Sequence, residues 1–375
     1  MLTAESRLRD FPPLREMAYF NTAAEGVSPL AVRDAFLEYF EHKQRGMDGR
    51  VPHFAALDET KALVARFYGL TTDEVAICSC SSEAYNLAAM ALRLREGDEV
   101  VVNDLDFPAG VTPWLQKESP ATVKVWRSRN GALRTEDLIP LLSPKTRLVT
   151  TSLVSFYNGY RLPLAPVRDA VRRHSSALFS VDVTQALGRI PLELDDVDLI
   201  VSSTHKWILA SHGGGLVGVR SQRAAELTAP AGGWYHLQDA FGANRFDEAI
   251  SRPGAPSFAV GMPNFPAIYA IRAGLRYIES AGVDAIDAHA RPLTEGLLHE
   301  IKKFPVELLT PTDVPPAGII AFRHPKADEI HRQLLAEQIH VMSHAGRLRI
   351  AVHGYNTPAD VDRLLRTLTT ALRSV

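Results

Sequence analysis

From about residue 60 to residue 220, short apolar runs alternate with longer segments of helical period. The runs are rich in β-branched residues and predict strands at 75–79, 99–103, 122–127, 147–152, 178–183, 199–203 and 216–220. The segments between them predict helices at 82–95, 111–118, 135–142 and 166–174. Strands that alternate with helices are typical of α/β proteins, so we predict a mainly parallel seven-stranded sheet between helices.

The pattern changes after residue 220. A stretch rich in Pro and Gly at 253–266 is followed by predicted helices at 267–280 and 285–303. Strands at 306–309, 318–323 and 348–352, a helix at 328–337 and a C-terminal helix after Thr357 complete the prediction. This arrangement predicts a smaller α+β domain. We place the large domain at residues 16–245 and the small domain at 1–15 together with 246–375.

Composition narrows the class of protein. Hydrophobic residues make up 46% and charged residues 22% of the 375 residues, as in ordinary globular proteins. The balance of 41 basic and 43 acidic residues, without a basic block, argues against a nucleic-acid partner. No apolar stretch is long enough to span a membrane, and the two cysteines provide neither a disulfide framework nor a zinc site. We therefore predict a cytoplasmic protein without a metal centre.

A polar cluster follows the predicted strand at 199–203. The strand leads directly into Ser203, His205 and Lys206, and ligands of α/β sheets bind at the carboxyl ends of strands. Taken by itself, this segment is better explained as a surface His–Lys pair just past a strand, because short motifs often match by chance.

The preceding strand ends on an acid, Asp182. A buried carboxylate needs a partner, and a helix cap or a salt bridge would supply one. Together with Lys206, however, the pair fits pyridoxal phosphate, which forms a Schiff base with a lysine and carries a ring nitrogen that an acid keeps protonated.

Two hydroxyls, Ser81 and Ser82, lie where a strand passes into a helix. A helix N-terminus with hydroxyls favours an anion, although serine is also an ordinary N-cap residue. Because no dinucleotide or nucleoside triphosphate motif is present, a single phosphate group fits better.

In order along the chain, these and further motifs resemble those of the class V aminotransferase family. This family of fold type I pyridoxal phosphate enzymes includes cysteine desulfurases, isopenicillin N epimerase and kynureninase. The motifs that carry the resemblance are residues 19–24, 81–84, 106–108, 154–159, 182–185, 203–206 and 349–357.

The resemblance implies a role for each matching residue. Lys206 would form the Schiff base and move the Cα proton, and Asp182 would keep the ring nitrogen protonated. Arg349 would bind the substrate α-carboxylate, with Arg347 as its nearest rival. Gln185 would hydrogen-bond the ring hydroxyl, and Phe107 would stack on the ring. The phosphate would be held by Ser81, Ser82, Ser203 and His205.

Two departures from the family pattern qualify the expected chemistry. Related desulfurases carry a nucleophilic cysteine shortly before the carboxylate-binding arginine, but residues 342–346 contain none, so persulfide chemistry is not expected. Met262 stands where many relatives have a threonine that reaches the phosphate of a neighbouring subunit. A homodimer is still expected.

The sequence leaves several functions open. We expect an enzyme that acts on an amino acid or related primary amine and is aminotransferase-like, with a carbon–sulfur lyase or an epimerase as the alternative. A pyridoxal phosphate-binding protein without turnover is an alternative of another class. A nicotinamide-dependent dehydrogenase is disfavoured because its glycine fingerprint is absent.

Overall fold

The computed structural model describes residues 1–374 of the chain. It contains ten α-helices within this range: α1 Ala4–Asp10, α2 Leu30–Lys43, α3 Arg50–Tyr68, α4 Ser81–Leu92, α5 Thr135–Leu138, α6 Leu164–His174, α7 Phe265–Ala281, α8 Val283–Ile301, α9 Ala327–Ala336 and α10 Pro358–Ser374. The strands in this range are β1 Ala18–Tyr19, β2 Val75–Cys78, β3 Glu99–Asn103, β4 Thr122–Trp126, β5 Thr146–Ser152, β6 Leu178–Asp182, β7 Leu199–Ser203, β8 Gly215–Val219, β9 Glu307–Leu308, β10 Ile319–Arg323, β11 Ile339–His340, β12 Met342–His344 and β13 Arg347–Ala351.

The central sheet has seven strands in the order β2-β8-β7-β6-β5-β3-β4. All pairs are parallel except those of β8, which runs antiparallel to both β2 and β7. Both faces of the sheet are buried, which explains why its strands are continuous apolar runs. In β3, for example, Val101 packs into one core cluster while Val100 and Val102 pack into another. The predicted mainly parallel α/β sheet is thus confirmed.

The helix prediction at 111–118 is wrong. A 3-10 turn at Pro108–Gly110 is followed there by further turns. Pro113 lies within this stretch and disfavours a helical conformation of the residue before it, Thr112. The helix predicted at 135–142 is also shorter, because α5 continues as a 3-10 turn at Ile139–Leu141. The sequence reading missed α2 and α3, which pack against α7.

A second, four-stranded antiparallel sheet has the order β12-β13-β10-β9. Its apolar residues pack with residues of α8, α9 and α10 in a separate cluster. The N-terminal segment lies beside β13, since the N–H of Ala351 donates to the carbonyl of Phe20 over 2.8 Å. The domain division at residues 15 and 245 stays a prediction.

Two features of this fold position the site. The carboxyl ends of β5, β6 and β7 lie side by side in the central sheet, and β13 brings its arginines towards them from the second sheet. No helix of residues 1–374 has the length and apolar character needed to cross a membrane.

Candidate active site

A cavity of about 320 Å³ lies at the carboxyl ends of the central strands. Every residue that the sequence predicted for the cofactor lines it: Ser81, Ser82, Phe107, Asp182, Gln185, Ser203, His205 and Lys206. Strand ends and the start of α4 converge there because parallel strands expose their carboxyl ends at one edge of the sheet. The roles of these residues stay a proposal, but the structure places them around one space.

Asp182, the last residue of β6, lies at the buried end of the cavity. Its carboxylate accepts hydrogen bonds from the N–H of Thr184 over 2.7 Å and from the hydroxyl of Tyr85 over 3.2 Å. Burial raises the pKa of Asp182, whereas Thr184 and the charge of Lys206 lower it. A buried carboxylate in this position favours a ligand that presents a cationic or proton-donating group.

Lys206 follows β7 and lies half-buried in the cavity wall. Its Nζ lies 5.3 Å from the centroid of the Phe107 ring. Burial lowers the pKa of Lys206 to about 8, with Arg349 acting in the same direction and Asp182 opposing it. A larger fraction of this amine is therefore neutral and nucleophilic near pH 7 than in an ordinary lysine.

The opposite end of the cavity is suited to an anion. The helix α4 begins at Ser81, and no side chain caps its first turn. The Oγ of Ser81 lies 3.0 Å from the Oγ of Ser203, so hydroxyls of two elements meet at this helix end. Uncapped N–H groups and paired hydroxyls are the kind of donors that suit one phosphate group.

Gln185 is held from both ends of its amide. Its Oε1 accepts a hydrogen bond from Nε1 of Trp207 over 2.6 Å, and its Nε2 donates to the carbonyl of Ala23 over 3.0 Å. The second hydrogen on Nε2 is left for a ligand in the cavity. The expected bond to a ring hydroxyl is compatible with this geometry.

Two aromatic rings form an apolar wall of the cavity. Phe107 and Phe156 meet edge to face with their centroids 5.1 Å apart. Phe107 is exposed for such a large apolar residue, at 47% of its surface. An exposed ring that faces Lys206 fits the expected stacking on a planar ligand.

Arg349 reaches the site from β13. It does not line the cavity itself, but its Nη1 donates to the carbonyl of Phe156 over 2.8 Å. Within residues 1–374 it forms no ion pair, and its buried Nε has no hydrogen-bond partner. Burial and the neighbouring Arg347 lower the pKa of Arg349 to about 10. Such an unneutralised guanidinium favours a carboxylate ligand.

Arg347, its rival, is occupied differently. Its guanidinium stacks over the ring of Tyr157 at 4.2 Å from the centroid and donates to the carbonyl of Tyr157. Arg349 is thus the arginine with the more incomplete hydrogen bonding.

The sequence reading missed several side chains around the cavity. Phe156, Thr184 and His212 line it, and His212 lies 3.2 Å from Glu25. Nothing in the sequence indicated His212, because an isolated histidine carries no spacing signal. Cys80 also lines the cavity and is exposed, whereas Cys78 is buried.

Comparisons with known proteins agree with this architecture. Residues 18–364 match the family described as aminotransferase class V. By sequence, the chain is similar to the "Uncharacterized aminotransferase YcbU" of Bacillus subtilis, with 28% identity over 79% of each chain. It is also similar to a "Probable cysteine desulfurase" of Methanothermobacter thermautotrophicus, with 25% identity over 98% of each chain. By fold, it is similar to the cysteine desulfurase of Thermococcus onnurineus, with a TM-score of 0.89 and 21% identity over 100% of this chain and 99% of that one.

The fold and the family match together define the class of this protein. The chain belongs to the class V aminotransferase family, as the ordered motifs predicted, and has the fold type I architecture. Family membership confirms the predictions of an enzyme and of pyridoxal phosphate as its cofactor. The donor set agrees, since an acid, a lysine and a helix N-terminus with two hydroxyls line one cavity.

Proposed function

We propose that this enzyme acts on an α-amino acid with Lys206 as its reactive amine, and that its reaction is aminotransferase-like. The observation that carries the proposal is the placement of Lys206 and Asp182 in one buried cavity, each acting on the pKa of the other. When bound, pyridoxal phosphate withdraws electrons from the substrate Cα and so makes its proton acidic.

The residues of the chain divide the remaining work. Ser81, Ser82, Ser203 and His205 would hold the phosphate, while Asp182 would keep the ring nitrogen protonated and Gln185 would hydrogen-bond the ring hydroxyl. Phe107 would stack on the ring and exclude water from one face. Lys206 would hold the cofactor covalently and, once released, accept and return the proton at Cα, since an amine with a pKa of about 8 can do both near neutral pH.

Arg349 would fix the orientation of the substrate. Its planar guanidinium can bind both oxygens of the α-carboxylate, which relieves the unpaired charge. A substrate held at its carboxylate presents its amino group and Cα to Lys206.

A carbon–sulfur lyase is the second candidate because sequence relatives are named as cysteine desulfurases. The positions of the thiols limit this candidate. Burial raises the pKa of the Cys78 thiol, and Cys80 lies at the start of α4, by the anion site. Because residues 342–346 carry no thiol, sulfur cleaved from a substrate would leave without being stored on that segment.

Two further parts of the proposal concern the whole protein. We propose a homodimer, supported by exposed apolar side chains on α2 and the turn that follows it, such as Phe40 and Met47. A cytoplasmic location stays a prediction.

The test combines a spectrum with product analysis. The purified protein is expected to show a visible absorption band with pyridoxal phosphate, and borohydride should then attach the cofactor irreversibly. Lys206→Ala should abolish this labelling, whereas Lys117→Ala, at an exposed lysine, should not. Labelling of Lys206→Ala at the wild-type level would contradict the assignment of Lys206.

Products then separate the two reactions. An aminotransferase converts an amino acid to its oxo acid only stoichiometrically until a second oxo acid is supplied. A β-eliminating lyase releases ammonia without any acceptor, together with sulfide from cysteine or a persulfide from cystine. Sustained ammonia release without an acceptor would overturn the aminotransferase-like proposal and favour the lyase.

A further inference from the structure

Two residues without an assigned role lie next to Lys206: Glu25 and His212. Nε2 of His212 lies 3.2 Å from Oε2 of Glu25, and His212 lines the cavity. The ring of His212 also stacks on that of His205, with the centroids 4.4 Å apart and the planes at 14°. The side chains of His212 and Glu25 keep 69% and 50% of their surface exposed, so the pair lies at the mouth of the cavity.

Both members of the pair are anchored to the segment that carries Lys206. On one side, the N–H of Gly26 donates to the carbonyl of His205 over 2.8 Å, which fixes the backbone next to Glu25. On the other side, the hydroxyl of Thr204 bonds to the carbonyls of Ser211 and Gly214, over 2.7 and 3.2 Å. The two side chains are therefore held beside Lys206 by backbone contacts and not by their own contact alone.

Charged groups of opposite sign act on Lys206. Besides the buried Asp182, Glu25 raises the pKa of Lys206 and Arg349 lowers it, so an anion and a cation both act on the reactive amine. An amino acid at neutral pH carries a carboxylate and an ammonium group. With its carboxylate at Arg349, its ammonium group finds the matching negative charge at Glu25.

The substrate ammonium must lose a proton before its nitrogen can act as a nucleophile, and this requires a base. Asp182 is buried and bonded to Thr184 and Tyr85. His205 has a pKa lowered to about 4 by burial and by Lys206, so its imidazole is a poor base. The amine of Lys206 is engaged with the cofactor when the substrate arrives. Imidazole is the side chain suited to accepting and releasing a proton near neutral pH. Of the groups around Lys206, this leaves His212 as the candidate base.

We propose that His212, oriented by Glu25, is the base that deprotonates the substrate ammonium at the mouth of the cavity. The N–H bond of the ammonium breaks, its electron pair stays on the substrate nitrogen, and the proton moves to the imidazole. The imidazolium, which faces Glu25, His205 and solvent, then releases the proton to water. This inference rests on the proposed function, because it assumes that an amino acid reacts at Lys206.

The first test is the pH dependence of a single turnover, measured as the rate of the absorbance change when the cofactor-loaded enzyme is mixed with an amino acid. Buffers contain EDTA so that no adventitious metal ion occupies the imidazoles. Since the base must be unprotonated, the wild-type rate should rise with pH on the acidic side. His212→Gln should lose this acidic limb and react roughly 100-fold more slowly, as is typical when a general base is removed. His174→Gln, at an exposed histidine at the end of α6, is the matched control.

Two further measurements separate chemistry from structure. Added imidazole should restore part of the rate in His212→Ala, which a purely structural defect would not allow. With the cofactor fixed to Lys206 by borohydride, amino acid binding by equilibrium dialysis should weaken in Glu25→Gln, although no reaction occurs.

The outcomes distinguish the inference from the function beneath it. A wild-type protein that shows no cofactor absorption band and no reaction with an amino acid would contradict both the proposed function and the inference about His212. A reactive wild type whose His212→Gln variant keeps the same rate and pH profile, or whose His212→Ala variant gains nothing from imidazole, would overturn the inference alone. Unchanged binding in Glu25→Gln would remove Glu25 from it.

Discussion

At the scale of single residues, the site is a set of buried charges whose partners are incomplete. The Nε of Arg349 has no hydrogen-bond partner. Burial raises the pKa of Asp182 and lowers the pKa of Lys206, which favours the neutral form of each side chain. Buried charges whose partners are incomplete cost stability, so a chain that keeps three such groups in and beside one cavity gains from a ligand that offsets them. A zwitterionic substrate and a cofactor with a protonatable ring provide those charges.

The clearest residue-scale prediction concerns Arg349. Arg349→Lys should lower kcat/KM for an α-amino acid by about 30-fold, because lysine keeps the positive charge but cannot donate two parallel hydrogen bonds to the carboxylate, and one hydrogen bond to a charged group contributes about 2 kcal/mol. The same variant should leave the reaction with a matched primary amine that lacks the carboxylate nearly unchanged. Steady-state kinetics with both substrates measures the difference.

The matched control is Arg347→Lys, which changes the neighbouring arginine on the same face of β13. Its guanidinium is bonded to Tyr157, so a smaller loss is expected for the amino acid. A larger loss in Arg347→Lys than in Arg349→Lys would reverse the assignment.

The sequence could predict Lys206, Asp182 and Ser81 because each lies at a strand end or helix start within an ordered motif. It could not predict the pair of Glu25 and His212. These two residues are brought together by the packing of the N-terminal segment on the lysine loop, and no local spacing encodes that contact.

At the scale of secondary-structure elements, strand β8 of the central sheet packs closely against the turn before helix α4. Gly215, the first residue of β8, pairs with Cys78 of β2. A Cβ at Gly215 would lie 2.4 Å from the carbonyl carbon of Cys80, the residue before α4. Strand β8 is thus in close contact with the turn before α4, where the proposed phosphate site lies.

Gly215→Ala should therefore displace the turn before α4 and weaken the hold on phosphate. We expect a loss of about 1–3 kcal/mol in the free energy of unfolding, as for other overpacked sites, and a raised Kd for pyridoxal phosphate. Chemical denaturation and absorbance titration of the cofactor-free protein measure the two effects. Gly232→Ala, where a Cβ meets nothing within 4 Å, is the control. Equal affinities of the two variants for the cofactor would contradict the coupling.

Element prediction succeeded where burial leaves a strong pattern. Strands β3 and β7 were predicted with their observed bounds because both faces of the sheet are buried and each strand contains a run of three apolar residues. The helices α2 and α3 were missed because their apolar residues do not keep to one side. On α2, for instance, Val32 is buried while Phe36, Leu37 and Phe40 are exposed. When apolar residues lie on both the buried and the exposed side of a helix, the helical period of about 3.6 residues is no longer visible in the sequence.

At the scale of the whole molecule, those exposed residues form an apolar surface. Phe36, Leu37 and Phe40 of α2 lie one turn or less apart, and Met47 and Val51 follow on the adjoining turn and the start of α3. We call these five residues the α2 patch. Large contiguous apolar patches mark interaction sites, and the homodimer we propose would cover this one with a second copy of the chain.

The α2 patch leads to the last prediction. Phe40→Glu combined with Val51→Glu would bury four charges across a twofold interface without partners, and should dissociate the dimer. Light scattering after gel filtration should give twice 41.2 kDa for the wild type and 41.2 kDa for the double variant. Leu335→Glu, an exposed apolar residue on α9, should remain dimeric. A wild type that stays at 41.2 kDa at all concentrations would refute the dimer, and a double variant that remains dimeric would place the interface elsewhere on the surface.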